Sequence, residues 1–176
     1  MKRKTAALIL TAMVVVVVDS HVDWETIDGR GLLNINGIRM DPVGWARDKA
    51  QTTRRDCAWY TSPTLDSAVG QSVMKAIARH SPPDSTQARW HQARQDGHWL
   101  IAELSFERIS PAVVLLQRQG DRWLVHPKAI WSGSTEPWYP NTRIRDHLIQ
   151  QAPEAPKGLI ACFTPIQDFR SWSLKP

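Results

Sequence analysis

Cysteine is scarce in this chain, and the usual catalytic spacings are missing. Its 176 residues include two cysteines, Cys57 and Cys162, with no C-x-x-C and no H-E-x-x-H. The six histidines, His21, His80, His91, His98, His126 and His147, stand at no metal-binding interval, so no metal ligands are assigned. No G-x-x-x-x-G-K is present to cradle a phosphate. A nucleophile elbow needs G-x-S-x-G, and Trp131-Ser132-Gly133-Ser134-Thr135 lacks the first glycine. These absences leave no catalytic residue and no cofactor to name, and they weigh against an enzyme. An envelope hydrolase with an unfamiliar site near the strand hairpins, built on Glu103 or a histidine, stays as the alternative. For Glu103 the expected setting is outward and solvated on a half-exposed sheet. His91 and His98 are read as strand residues able to face each other across a hairpin.

Charge is also missing from one long stretch. Thr5 to Val18 has none and is almost wholly apolar, between Lys2-Arg3-Lys4 and Asp19. A basic head before an apolar run is the layout of a secretory signal. Fourteen helical residues reach about 21 Å, short of a hydrocarbon core about 30 Å thick. Residues 1–20 are therefore read as a signal peptide, with a short uncleaved anchor or a buried strand as alternatives, and 21–176 as one domain. Without Lys2, Arg3 and Lys4, 19 basic residues face 17 acidic ones, a net of +2. The remaining arginines are scattered, which argues against a nucleic-acid footprint. Export to the periplasm, with membrane proximity only through the opening segment, makes one disulfide between Cys57 and Cys162 the simplest pairing.

Nine tryptophans against two tyrosines and three phenylalanines are what the chain does have in plenty. Tryptophan and arginine are enriched at binding hot spots. Trp59, and Trp99 or Trp123 on the strands, are assigned to the core. Trp131, Glu136, Trp138 and Tyr139 lie on a Gly, Ser and Pro loop, 131–139, and are the candidate binding residues, with Trp131 and Trp138 plugging the end of the sheet as the alternative.

The periodicities give an α+β fold. A short strand is expected near 31–35, between Asp28-Gly29 and Asn36-Gly37. Asp41-Pro42 opens a helix over 42–50 with Val43 and Ala46 inward. Leu65, Val69, Val73 and Ile77 recur every four residues, so a helix capped by Thr64 runs to Pro82-Pro83. Strands follow over 88–95, 98–106, 112–118 and 122–126, with turns at Asp96-Gly97 and Gln119-Gly120-Asp121. They form a four-stranded antiparallel meander whose third strand, Val113 to Leu116, is covered on both sides. Asn141 caps a second helix carrying Ile144, Leu148 and Ala152. Gly158 to Phe163 reads as a short C-terminal strand, and Phe169 and Trp172 dock the tail. The two main helices pack on one face of the sheet. Such a body fits an exported inhibitor or immunity protein that occludes a toxic envelope enzyme, a lipase or wall hydrolase. A structural part of an envelope or secretion assembly is a further alternative.

Overall fold

A computed structural model describes residues 22–170. The opening segment 1–20 and Trp172 lie outside the described residues.

Two hairpins build a small sheet first. Strands β1 (Val22–Ile27), β2 (Arg30–Ile35) and β3 (Ile38–Met40) pair antiparallel in that order. Both connecting turns hold two residues, and Asp28, Gly29, Asn36 and Gly37 all have positive φ. That is the turn geometry whose twist matches the flanking strands, and it selects Asn, Asp and Gly. The expected strand at 31–35 is thus one of three.

Helix α1 (Pro42–Arg54) begins as expected, with Asp41 Oδ1 accepting from the Gly44 amide at 2.6 Å. It runs past residue 50, and its buried positions are Gly44 and Asp48, not Val43 and Ala46. The reason is polar. Asp48 Oδ1 lies 2.6 Å from Arg145 Nη1, and its Oδ2 accepts from Asn141 Nδ2 at 3.1 Å. Gly44 lets the helix approach: a Cβ there would stand 2.8 Å from Thr142 Oγ1.

Helix α2 (Ala68–His80) has the expected stripe, with Val73 and Ile77 buried. Its cap is Ser67, whose Oγ accepts from Gly70 N at 3.0 Å, not Thr64. Leu65 precedes the helix and is exposed.

The meander is as read from sequence: β4 (Arg89–Asp96), β5 (Trp99–Ser105), β6 (Ala112–Gln119) and β7 (Arg122–Ser132) pair in order. The first turn is Gly97-His98, because Asp96 pairs with Trp99. His98 therefore sits in the turn, and it does not face His91. Strand β6 is buried from Ala112 to Leu116, as expected for a strand covered on both sides.

Helix α3 (Pro140–Gln151) buries Ile144 and Leu148. Asn141 does not cap it: the N-cap position is Tyr139, and Asn141 lies inside the helix with its Nδ2 donating to Asp48. The two main helices take opposite faces of the meander, not one. Leu100, Ala102 and Leu104 pack with Val73 and Ile77 of α2. Trp99, Ile101, Val113 and Leu115 pack with Ile144 and Leu148 of α3.

The expected C-terminal strand is a helix, α4 (Lys157–Ala161), led by Pro156 and burying Leu159, Ile160 and Ala161. Proline before a short apolar run suits a helical first turn, and a run that brief has no period to separate helix from strand. Cys162 follows α4 and is bonded to Cys57, with Cα atoms 5.6 Å apart across a separation of 105 residues. Phe169 is fully buried, so the tail docks. Trp99 and Trp123 are core, whereas Trp59 is 84% exposed beside the bridge.

Candidate functional site: an uncovered apolar sheet face

Residues of a strand alternate between faces, so register sorts the small sheet. Trp24 pairs with Leu33 and Leu33 with Met40, while Val22 pairs with Ile35 and Ile35 with Ile38. These six apolar side chains share one face. The opposite face holds Glu25, Arg30, Leu32, Asn34 and Arg39. Leu32 is fully buried, and Arg30 reaches Asp146 of α3 at 3.1 Å and lies 5.5 Å over the Trp138 ring. That second face is the one against the body.

Three of the six, Val22, Leu33 and Ile35, are half-buried, and the other three are left to solvent. Trp24 is 59% exposed, Ile38 67% and Met40 41%. Helix α1 extends the patch with Trp45, 51% exposed, which lines one depression with Leu33 and Met40. The ion pairs of this sheet lie on the opposite face: Arg39 with Glu25 at 2.9 Å, and Arg30 with Asp146 at 3.1 Å. Isolated exposed apolar residues are ordinary, but a grouped set marks a contact surface.

The candidate loop borders this patch. Two depressions, of about 660 Å³ and 330 Å³, share Arg39, Pro137, Trp138 and Arg170. Glu136 lines the larger; Tyr139, Met40 and Trp45 line the smaller. Trp138 itself is only 6% exposed, with Arg30 and Arg143 over its ring. Trp131 is at the end of β7, half-buried, edge-on to His147 at 5.3 Å. Glu136 is exposed, while Tyr139 is half-buried and donates its amide to Asp41 Oδ2 at 3.1 Å. Burial, then the nearby Asp48 carboxylate, raises the Tyr139 hydroxyl above its ordinary pKa. The loop is tied to the tail: Thr135 N and Oγ1 both donate to the Phe169 carbonyl, at 2.7 and 3.1 Å. Of the four candidates, Glu136 and Trp138 line the larger depression, Trp138 and Tyr139 the smaller, and Trp131 neither. Trp24, Ile38, Met40 and Trp45 were not singled out in the sequence. The alternation of 22–40 across two Asx-Gly turns is the signal that marks the three on the sheet.

The groups that an enzyme would use are placed otherwise than expected. Glu103 is fully buried, not outward, and accepts from the Ile166 and Gln167 amides and from Gln92 Nε2. A carboxylate with three donors serves here to pin the tail to β5. His91 Nε2 lies 2.7 Å from Ser105 Oγ, and its Nδ1 lies 3.3 Å from Gln167 Nε2. Among the described residues, no group of three His, Cys, Asp or Glu side chains stands close enough to hold a metal ion. No helix among them is long and apolar enough to cross a membrane. Comparisons with protein-family models, curated proteins and solved structures give no match.

Proposed function

We propose that this chain is an exported protein-binding protein, an inhibitor or immunity protein that neutralises a toxic envelope enzyme by occlusion. The observation that carries the reading is the apolar face of β1–β3 with Trp45 beside it, where Trp24, Ile38, Met40 and Trp45 are all exposed. Tryptophan and methionine in a desolvating centre is how protein interfaces are built. Export rests on the basic and apolar opening of the sequence and on the Cys57–Cys162 bridge. The occupant we assign is a protein surface with its own apolar centre, held by packing against Trp24, Ile38, Met40 and Trp45.

The test uses tagged chain to capture partners from the host envelope, with Met40→Asp and Trp45→Ala as controls. One partner in stoichiometric yield is expected, weakened by about 2 kcal/mol or more in each variant, with melting temperatures unchanged. The captured enzyme is expected to lose activity when the chain is added. A partner held equally by both variants, or one whose activity is untouched, rejects the reading.

A second reading, an envelope hydrolase, rests on the Ser105–His91–Gln167 contacts. With Gln167 Nε2 donating to His91 Nδ1, the imidazole proton is on Nε2 and is donated to Ser105. That tautomer cannot accept the serine proton. Turning the Gln167 amide presents its oxygen instead and reverses the roles. Labelling of wild type but not Ser105→Ala by a fluorophosphonate supports this reading; absence of labelling rejects it.

A further inference from the structure

The α2 side of the meander carries a second feature, independent of the apolar face of β1–β3. Between α2 and the sheet is a cavity of about 210 Å³, walled by Ile77, Leu104, Phe106, Ile109, Val114 and Ile130. Water occupies roughly 30 Å³ per molecule in the liquid, so the space holds about seven groups of that size. A closed cavity of about 150 Å³ lined by Leu, Ile and Phe takes up benzene in another protein. His80, Ser81, Asp84 and Ser132 also line it. Ser85 is engaged already, donating to the Ala78 carbonyl at 3.0 Å.

Beside it runs an open cleft of about 430 Å³, formed by α2 and the start of β7. Its charged lining is basic only: Lys75, Arg79 and Arg122, with His80 next to them. Ser72, Lys75, Ala76, Arg79 and His80 fall at helical spacing, so one face of α2 supplies them. None of Lys75, Arg79 and Arg122 forms an ion pair among the described residues. His80 and Val125 line both the cleft and the cavity, so the two adjoin.

We propose that this joined site binds an anionic amphiphile, with an apolar chain of about seven carbons in the cavity and a phosphate or carboxylate head on Lys75, Arg79 and Arg122. The two halves demand opposite chemistries, and one molecule satisfies both. An apolar chain without a charged head leaves three cations unneutralised. An anion without a chain leaves the cavity unfilled. Asp84 is the one acid of the lining and stands on the cavity side, where it disfavours an anion entering head first.

Calorimetric titration of the full chain with octyl phosphate, octanol and inorganic phosphate tests the site. Octyl phosphate is expected to bind at least about tenfold tighter than either of the other two. The double variant Lys75→Gln/Arg79→Gln is expected to lose that advantage while binding octanol as before. Ile109→Trp, at the half-exposed rim, is expected to weaken octanol and octyl phosphate together. Equal affinity for octanol and octyl phosphate, equal affinity for phosphate and octyl phosphate, or no binding at about 1 mM, overturns the proposal. So do variants that change nothing. Flotation with phosphatidylglycerol vesicles but not phosphatidylcholine vesicles assigns the ligand to a bilayer lipid. Octyl phosphate binding without flotation assigns it to a free amphiphile. Either result is separate from capture of a protein on the β1–β3 face, since no residue is shared.

Discussion

Burying Asp48 beside Arg145 takes both charges out of water, and each is left with only a few per cent of its side chain exposed. The guanidinium is held on every side: Asp48 at Nη1, the Phe163 carbonyl at Nε, 2.8 Å away, and Thr164 Oγ1 at Nη2, 3.2 Å away. Burial lowers the Arg145 pKa, and Asp48 opposes that shift. Removing one partner strands a buried charge, so Arg145→Met is expected to cost about 3–5 kcal/mol in urea unfolding, and Asp48→Leu added to it to recover much of the loss. Tyr139 gives a pH signature. Its folded pKa is raised, so an unfolded tyrosine, near 10, ionises first. Its stabilising share is whole below about pH 10 and falls as pH rises toward the folded value. Tyr139→Phe is expected to flatten that decline in unfolding midpoints measured between about pH 9 and 11. Neither role is legible in the sequence. Asp48 sits among polar residues of a helix, and only the partner from 97 residues away shows that it points inward. Glu103 was conspicuous as the acid in an apolar strand, but its three donors come from Gln92 and from residues 166 and 167. Trp138 is likewise a plug and not an open contact: Trp138→Ala is expected to destabilise by about 3–5 kcal/mol.

At the scale of elements, local signals that are complete in themselves read correctly. The α2 stripe, the order of the meander and the continuous Val113–Leu116 run each carry their own period. Elements whose inward face is set by a distant partner do not. Helix α1 turns Gly44 and Asp48 inward because Arg145 and Thr142 are there, against the apolar choice of Val43 and Ala46. Helix α4 has five residues, too few to express a period. The small sheet was half legible, since both Asx-Gly turns were plain while the strands around them were not all drawn. The bridge joins the segment after α1 to the end of α4 and closes a long loop. Chain-entropy reasoning gives it roughly 4 to 5 kcal/mol. Cys57→Ser/Cys162→Ser is expected to lose about that much, and reduction of the wild type to match it.

Across the whole molecule, one sheet is covered on both faces and the other on one. The meander has α2 on one side and α3, α4 and the docked tail on the other. The β1–β3 sheet is anchored by Leu32 and Arg30 and turns Trp24, Ile38 and Met40 outward. The exposed apolar side chains of this sheet are costly to leave in water at about 25 cal/mol per Å², and the proposed partner would remove that cost. Hydrogen exchange of the chain alone and with its captured partner tests this most directly. Slowed exchange over residues 30–45, with 112–119 unchanged, is the expected result. Protection confined to the meander, with 30–45 exchanging as in the free chain, would contradict the account.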